Sequence, residues 1–314
     1  MQKMERNKIK RIVIWGLKKK YHTHRHIHQA FYKNAKKLGY ETLWIEDEKK
    51  SQKYIEPGDL ILSAYVIGRM IPEKNSFEEH IIPIRDDVYY CLHNFKNVFL
   101  ERVPNDKLIL LQVYNNTIEN IPNIEKWGCA TYFDKNTRTL YQPWGTDLLA
   151  SEFKKPVFRR NKFVFWVGSI WNNKLKQGNT TQIIELKEIL KKRNLKFIHL
   201  RFIPDWLNIF FIRLSRIAPA IAGKSQVDVD YLPCRMFKNI SYGQLGITNI
   251  KKFKDILEDS FIDGENIEEI IDKSLSLSKN EQADLIRRQQ NIIKNYTYKN
   301  SIENILRALE INKK

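Results

Sequence analysis

Short apolar runs alternate with stretches of helical spacing in the first part of the chain. Residues 8–16 form an apolar run that ends at Gly16, and apolar side chains then recur every three or four positions from Ile27 to Leu38. Residues 40–47 again have the composition of a strand. This order predicts a strand, a helix and a second, parallel strand joined by a right-handed crossover, which is the unit of a parallel α/β sheet.

The same plan recurs further along the chain. Residues 161–173 form a second apolar run that ends in a glycine, Gly168, and a helix is predicted from about Thr180 to Arg193, followed by a strand over 195–202. Further strands are predicted over 58–64, 86–94, 106–115 and, as two short strands with a turn at Asp134–Asn136, within 128–147; further helices over 235–246, 250–259, 265–278, 280–294 and 299–311.

Two such units predict an α/β protein with two Rossmann-like domains that face each other across a cleft. A length of 314 residues fits two domains of about 150 residues each. We expect residues 1–150 to form the first domain and residues 161–298 the second. Residues 148–160 are charged and contain Pro156, as is typical of a linker.

The charge of +18, from 54 basic and 36 acidic residues, favours an anionic partner such as nucleic acid, an anionic membrane or a phosphorylated substrate. No nucleic-acid-binding motif is present, so we expect no nucleic acid. Three cysteines without a close pair exclude a disulfide scaffold and a CxxC site, which favours the reducing cytoplasm. The most apolar segment, 206–223, is broken by Arg213, Arg216 and Pro219. It is expected to be a core helix or a surface that contacts a membrane.

Several familiar catalytic motifs are missing from the sequence. The first strand is not followed by GxGxxG, and no GxxxxGK[ST], HExxH or GxSxG occurs, which disfavours dinucleotide-dependent oxidoreductases and P-loop enzymes. The triplet DVD at 228–230 alternates like an edge strand. Four histidines in seven positions, His22 to His28, raise the question of a metal site, but no further ligands follow nearby, so no metal is expected.

The segment 230–249 carries the strongest chemical signal. Polar and basic side chains crowd the start of a predicted helix: Arg235, Lys238, Asn239, Ser241 and Tyr242. A helix N-terminus has free N–H groups and partial positive charge, so it binds anions, and an arginine there adds a bidentate grip on a phosphate. Basic residues at a helix start oppose the helix dipole unless an anion is bound.

This segment and the two-domain plan resemble GT-B glycosyltransferases. "CRMFKNISYGQLGITN" is similar to the "EKxYNALxxGxxPI" motif of fucosyltransferases, with Arg235 in the place of the lysine that grips the nucleotide diphosphate. Asp230 and Lys238 stand where retaining GT-B enzymes have two glutamates, which favours an inverting enzyme. "FVFWVGSIWNN" resembles the opening of the nucleotide-binding domain and adds Gly168 and Ser169 to the donor site. The resemblance also implies that residues 299–314 return to the first domain.

The resemblance implies transfer of a sugar from a nucleotide-sugar donor to a hydroxyl of a glycan or glycolipid, with no cofactor. Arg235 and Lys238 would stabilise the leaving diphosphate without a metal. An inverting transfer needs a base on the first domain. The candidates are His24, which we favour, His93, His22, Asp86 and Asp87; the acceptor-binding candidates are His22, Arg25 and Asn94. A basic nucleic-acid-binding protein and a non-catalytic nucleotide- or carbohydrate-binding module are the alternatives.

Overall fold

The computed structural model describes residues 9–18, 23–64, 70–71, 76–77, 82–93, 101–114, 116–173 and 178–311. Within these ranges, the first half of the chain has ten strands: β1 Arg11–Trp15, β2 Glu41–Ile45, β3 Asp59–Ser63, β4 Met70–Ile71, β5 Ser76–Phe77, β6 Tyr89–His93, β7 Leu108–Gln112, β8 Glu125–Gly128, β9 Thr131–Asp134 and β10 Thr139–Tyr141. Eight form one sheet in the order β2-β1-β3-β6-β7-β10-β9-β8, and β4 pairs with β5. Pairing is parallel from β2 to β10 and antiparallel at β9 and β8.

The side chains of strand β1 show that both faces of this sheet are buried against other parts of the protein. Its five residues are all buried. Because side chains alternate across a strand, Ile12 and Ile14 enter one apolar cluster, whereas Val13 and Trp15 enter the cluster on the other face. Helix α1, Thr23–Lys37, covers the first of these faces with Phe31 and its apolar neighbours.

The second half of the chain has a smaller sheet and most of the helices. Strands β11 Phe163–Val167 and β12 Lys196–Leu200 pair in parallel. The helices are α2 Thr180–Lys192, α3 Asp205–Leu214, α4 Lys224–Asp228, α5 Cys234–Ser241, α6 Lys254–Leu257, α7 Ile267–Ser276, α8 Lys279–Ile293 and α9 Tyr298–Ile311. Extended backbone widens the sheet, since Arg216 N donates to Phe163 O over 2.9 Å and Ala220 N donates to Ile247 O over 2.7 Å.

Helix α9 packs away from the helices that precede it. Its residues Tyr298, Ile302 and Ile305 belong to the apolar cluster of the first half. The ring of Tyr298 meets that of Phe31 edge-on, with 4.8 Å between centroids. The last helix therefore fastens the end of the chain to the first sheet.

Three local expectations differ from the structure. Residues 206–223 do not form a single helix, because α3 ends at Leu214 and the chain then runs extended beside β11. The DVD triplet is not a strand, since Asp228 ends α4 and Asp230 has a left-handed φ of +50°. The helix expected over 250–259 shortens to α6, flanked by two 3-10 turns. No helix in the described part of the chain combines the length and apolar character needed to cross a bilayer.

Candidate active-site cleft

A cavity of about 1050 Å³ lies between the two halves. The first half contributes residues that follow or end strands, among them His93 at the end of β6 and Tyr114 shortly after β7. The second half contributes Gly168 after β11 and Arg201 after β12. Ligands of open α/β sheets collect at the carboxyl ends of the strands. The cavity therefore lies where the loops that follow the strands of both sheets come together.

Arg235 lies in the part of the cavity wall that the second half contributes. Its guanidinium carbon lies 3.9 Å from the ring centroid of Trp166, which is fully buried. Burial lowers the pKa of Arg235 to about 10, so the group stays cationic at neutral pH. Among the residues that the structure describes, no carboxylate forms an ion pair with it. A buried cation without a carboxylate is costly, so this arrangement favours an anionic ligand in the cavity.

Lys238 lies one turn further along α5 and also lines the cavity. Its ammonium is 3.9 Å from Asp147 Oδ1. Burial acts to lower the pKa of Lys238, but the negative charges of Asp147 and Asp205 outweigh it and the pKa is raised. Lys238 is therefore a cation at neutral pH. Its long, loose contact with Asp147 leaves its hydrogens available to a ligand.

Ser241 and Tyr242 do not line the cavity, contrary to their assignment to the donor site. The Tyr242 hydroxyl donates to Asp147 Oδ1 over 2.7 Å, and Ser241 Oγ lies 2.7 Å from Thr146 Oγ1. Both side chains are buried. Ser241 is turned away from Arg235 by the helical rotation. Tyr242 follows Arg235 by two turns and so lies on the same side of α5, but about 10 Å further along the axis, just past the end of the helix. These two residues bind the end of α5 to the loop after β10.

Gly168 and Ser169 form the turn beneath Arg235 and line the cavity. Gly168 has φ +124°, a conformation that favours glycine. A Cβ atom there would lie 2.2 Å from Arg235 Nη2, so the missing side chain leaves space for the guanidinium. Asn179 holds the loop, because its Oδ1 accepts from Trp171 N over 3.0 Å and its Nδ2 donates to Ser169 O over 3.1 Å.

Asn239 is buried and lines the cavity. Its Nδ2 donates to Ala218 O, which fixes the orientation of the amide. Its Oδ1 is buried and has no hydrogen-bond partner among the described residues. Leaving a buried acceptor unmatched costs about 1–3 kcal/mol. This oxygen is therefore suited to accept a hydrogen bond from a ligand hydroxyl or N–H group.

His93 belongs to the wall of the first half. Its Nδ1 lies 3.0 Å from Leu111 O, so the assigned tautomer carries its proton on Nδ1 and leaves Nε2 as the acceptor. Burial lowers the pKa of His93 to about 4, although the hydrogen bond to Leu111 acts in the opposite direction. The ring of Trp144 meets the imidazole edge-on at 5.1 Å. His93 is thus a neutral, oriented hydrogen-bond acceptor at physiological pH.

The histidines of α1 separate into different environments. His24 and His26 line the cavity. His28 is fully buried, and its Nε2 accepts from Ala64 N over 3.2 Å. His22 and Asn94 lie outside the described residues, and Arg25 is not part of the cavity wall, because its Nε donates to Lys18 O over 3.0 Å. Within the described ranges, no group of three or more His, Cys, Asp or Glu side chains is arranged to hold a metal ion.

Asp86 and Asp87 are not in the cavity wall. Both precede β6, whereas the cavity lies beyond the other end of that strand. Asp87 is paired with Arg85, with 2.5 Å between Nη2 and Oδ2, and this hydrogen bond is the main reason why the pKa of Asp87 is lowered. Their candidacy as the base is therefore wrong, because a strand directs its two ends to opposite edges of the sheet.

Asp205 at the start of α3 is the main residue that the sequence analysis missed. Its Oδ2 accepts from Lys33 Nζ over 2.7 Å, and its Oδ1 lies 3.8 Å from His26 Nδ1. The contact with His26, and then that with Lys33, holds the pKa of Asp205 well below its usual range. These contacts join α1 of the first half to α3 of the second. An acidic residue after a proline marks a helix start, but no local signal identifies its partners 172 positions away.

Comparisons with known proteins relate the chain to others by structure only. No protein-family model matches the sequence, and no curated protein matches it. The T4 α-glucosyltransferase in complex with UDP and a 13-mer DNA containing an HMU base superposes with a TM-score of 0.55 at 11% identity, covering 97% of this chain and 99% of that one. The N-terminal domain of Candida albicans trehalose-6-phosphate phosphatase gives 0.50 at 8% identity, covering 96% and 97%.

These likenesses extend over nearly the whole chain and establish its fold. The protein has the GT-B architecture, with two Rossmann-like domains and a sheet in which parallel pairing dominates. The α/β class with two Rossmann-like domains, predicted from the two strand–glycine–helix units, and the GT-B plan implied by the resemblance are thus confirmed. At such low identity the likeness carries no information about individual residues, so the chemistry of the cleft has to be argued from its own geometry.

Proposed function

We propose that the protein is a glycosyltransferase that moves a sugar from a nucleotide-sugar donor to a hydroxyl group of a glycan or lipid-linked glycan. The observation that carries this proposal is Arg235, a largely buried cation at the start of α5 in a cleft between two Rossmann-like halves. A diphosphate supplies the negative charge that this site lacks. The GT-B fold, and the UDP named in the complex of a structural neighbour, support a nucleotide as the ligand.

Arg235 and Lys238 have matching roles in this proposal. The sugar–phosphate bond breaks as negative charge accumulates on the diphosphate, and the two cations and the first N–H groups of α5 stabilise that charge. Asn239 Oδ1 accepts a hydrogen bond from a hydroxyl of the donor. Ser169 and Gly168 line the same side and leave room for the phosphates. None of these roles requires a metal or a cofactor.

The wall of the first half receives the acceptor in this proposal. An inverting transfer needs one base to take the proton of the attacking hydroxyl. His24 and His93 both line the cavity, and His93 has its Nε2 free of a proton. His24 remains our first candidate, because a group with a pKa of about 4, as in His93, is a weak base at neutral pH.

A nucleotide titration tests the donor site. UDP, GDP, CMP and dTDP are titrated into the wild type and into Arg235→Ala by calorimetry. We expect one nucleotide diphosphate to bind the wild type and to bind Arg235→Ala roughly 10- to 100-fold more weakly, because a hydrogen bond to a charged group contributes about 1.5–3 kcal/mol. Arg307→Ala is the matched control, since Arg307 stacks on Trp127 at 4.1 Å outside the cavity.

The absence of binding by all four nucleotides would show that the donor-site assignment is wrong. Once a donor is known, His24→Ala and His93→Ala separate the candidate bases. The variant that lacks the true base should turn over more slowly than the wild type and bind the donor with unchanged affinity. The anomeric configuration of the product, read by NMR, decides between inversion and retention.

The two alternatives lead to different measurements. A non-catalytic module would bind the nucleotide sugar without any turnover. A nucleic-acid-binding protein would bind single strands with a steep salt dependence, and the charge of +18 and the DNA in the neighbour's complex are what favour it. A cytoplasmic location, and contact with an anionic membrane when the acceptor is lipid-linked, belong to the proposal as well.

A further inference from the structure

Three large aromatic side chains are exposed close together in the second half. The exposed fractions are 41% for Phe202, 69% for Trp206 and 51% for Phe210. Trp206 and Phe210 are four positions apart on α3 and so lie on one face of it, whereas Ile212 packs into the core. We call Phe202, Trp206 and Phe210 the aromatic rim. Exposed apolar groups gathered in this way mark a surface that contacts a partner or a membrane.

The aromatic rim borders the cleft. Phe202 lines the cavity, as do Asp205 and Asn208 on α3. Helix α3 therefore has one side in the cavity wall, one side packed in the core and one side, with Trp206 and Phe210, in solvent. Whatever binds the aromatic rim lies next to the entrance through which an acceptor would come.

Basic side chains lie at both ends of α3. At its start, Lys33 pairs with Asp205, and the guanidinium of Arg201 lies 4.8 Å from the centroid of the Phe202 ring. Near its end, Arg213 Nη1 donates to Lys155 O over 3.1 Å. This bond places the linker beside the helix. The apolar face of α3 is thus flanked by positive charge.

The linker itself is strongly basic. Its cationic residues Lys154, Lys155, Arg159 and Arg160 are all exposed, and so is Lys162, which follows shortly after it. No acidic residue occurs between positions 153 and 163. In the described part of the chain, none of these five forms an ion pair. The linker therefore adds an uncompensated positive strip to the surface next to the aromatic rim.

Among possible partners, this combination fits an anionic bilayer. Single-stranded nucleic acid requires basic groups interleaved with the aromatic ones, yet α3 carries no charge between Asp205 and Arg213. A second copy of the chain would bring an equal positive charge against the linker. A bilayer with acidic lipids accepts the aromatic side chains at its interface and attracts the cations that surround them.

We propose that the aromatic rim and the basic linker dock the protein on an anionic membrane, with α3 lying along the interface and the cleft entrance next to the lipid surface. This deepens the proposed function, because it names the surface that a lipid-linked acceptor would occupy. Docking does not depend on donor binding. The aromatic side chains supply apolar burial, and the linker supplies a salt-sensitive attraction.

Vesicle co-sedimentation tests the docking. The wild type is mixed with vesicles of phosphatidylcholine alone or of phosphatidylcholine with phosphatidylglycerol. We expect binding to the anionic vesicles only, weakened by salt. The double variant Trp206→Ala/Phe210→Ala should partition roughly tenfold less or weaker still, and so should Lys155→Glu/Arg159→Glu. Ile184→Ala is the control, because Ile184 is 51% exposed but lies on α2, outside the aromatic rim.

Three results would overturn the docking proposal. One is equal binding of wild type and Trp206→Ala/Phe210→Ala to anionic vesicles. Another is a dimer that the same double variant abolishes, and a third is binding to single-stranded DNA, but not to vesicles, that it abolishes. Calorimetry with the nucleotide is run on every variant in parallel. A wild type that binds the nucleotide but no anionic vesicle would overturn the docking proposal and leave the proposed function intact, whereas a wild type that binds the vesicles but no nucleotide would do the reverse.

Discussion

The two walls of the cleft differ in how they carry charge. The wall of the second half presents Arg235 and Lys238 at the start of α5. Of these two cations, only Lys238 has a carboxylate partner among the described residues, Asp147 at 3.9 Å. The wall of the first half presents imidazole and aromatic groups, including His93 and Trp144. Under the proposed function, the first-mentioned wall would bind the anionic donor and the other wall the neutral, hydroxyl-bearing acceptor. That division suits transfer of a group from a phosphate to a hydroxyl.

The same physical cause, burial, has opposite consequences on the two walls. Burial lowers the pKa of Arg235 to about 10 and that of His93 to about 4. Arg235 stays charged at neutral pH because its pKa starts so high, whereas His93 becomes a neutral acceptor. Burial therefore leaves the wall of the second half cationic at neutral pH, although it disfavours the charge of Arg235, and it removes the positive charge of His93 from the wall of the first half.

Gly168→Ala should have the largest effect on the difference in charge between the two walls. The added Cβ would lie 2.2 Å from Arg235 Nη2, and φ +124° is unfavourable for alanine. The guanidinium has to move off Trp166, so we expect a loss of nucleotide affinity of roughly 10- to 100-fold, similar to that of Arg235→Ala. Calorimetry with the nucleotide measures it.

Gly39→Ala controls for backbone strain. Gly39 has φ +83°, but nothing lies within 4 Å of the position of its Cβ. We expect a stability loss of about 1 kcal/mol and unchanged nucleotide binding. Equal affinity losses in both glycine variants would mean that strain, and not displacement of Arg235, explains the effect at Gly168.

The second prediction concerns how the protonation of His93 makes the stability of the protein depend on pH. In the unfolded chain a histidine takes up its proton below about pH 6.5, whereas folded His93 does so only near pH 4. The folded pKa is the lower one, so its contribution to stability is present above pH 6.5 and is lost as the pH falls to 4. We expect a decline of about 3 kcal/mol over this range.

His93→Asn should remove that part of the pH dependence. Urea unfolding of wild type and variant at several pH values between 4 and 7 measures the difference in slope. Parallel curves for the two proteins would show that His93 is accessible to protons in the folded state. In that case the neutral character assigned to the wall of the first half is wrong.

The sequence predicted the fold better than the site. Apolar runs that end in glycine located β1 and β11, because a buried parallel strand leaves a strong local pattern. Arg235 and Gly168 were selected by rules of the same local kind, a basic group at a helix start and a glycine after a strand. Their joint role in donor binding stays a prediction, which the nucleotide titration of wild type and Arg235→Ala tests.

The parts of the site that the sequence did not predict depend on contacts between distant parts of the chain. The partners of Asp205 lie on α1, and no pattern around position 205 identifies them. Ser241 and Tyr242 stand in the correct segment but at the far end of α5. Their partners Thr146 and Asp147 lie 95 positions away in the sequence, and no local pattern identifies them.

The third prediction concerns the stability of the Tyr242→Phe variant. It removes the 2.7 Å hydrogen bond to Asp147, which joins α5 to the loop after β10. A buried hydrogen bond to a charged group is lost, so we expect unfolding to become easier by about 1.5 kcal/mol. Nucleotide affinity should change less than threefold, because the Tyr242 side chain does not line the cavity. A larger affinity loss would restore Tyr242 to the donor site.

Asp205→Asn tests whether the two walls are independent, and we expect the smallest effect from it. Asp205 holds α1 to α3 through Lys33 and His26, but the pair with Lys33 is partly exposed, so the expected loss of stability at pH 7 is about 1 kcal/mol. The lowered pKa of folded Asp205 means that this contribution is present above the unfolded pKa, near 4, and vanishes as the pH falls further. Unfolding of wild type and variant at pH 7 and in acid checks the sign. The Lys33→Met/Asp205→Asn double-mutant cycle then isolates the coupling between these two side chains across the cleft, and a coupling near zero would mean that other contacts, such as that of Tyr242 with Asp147, hold the walls together.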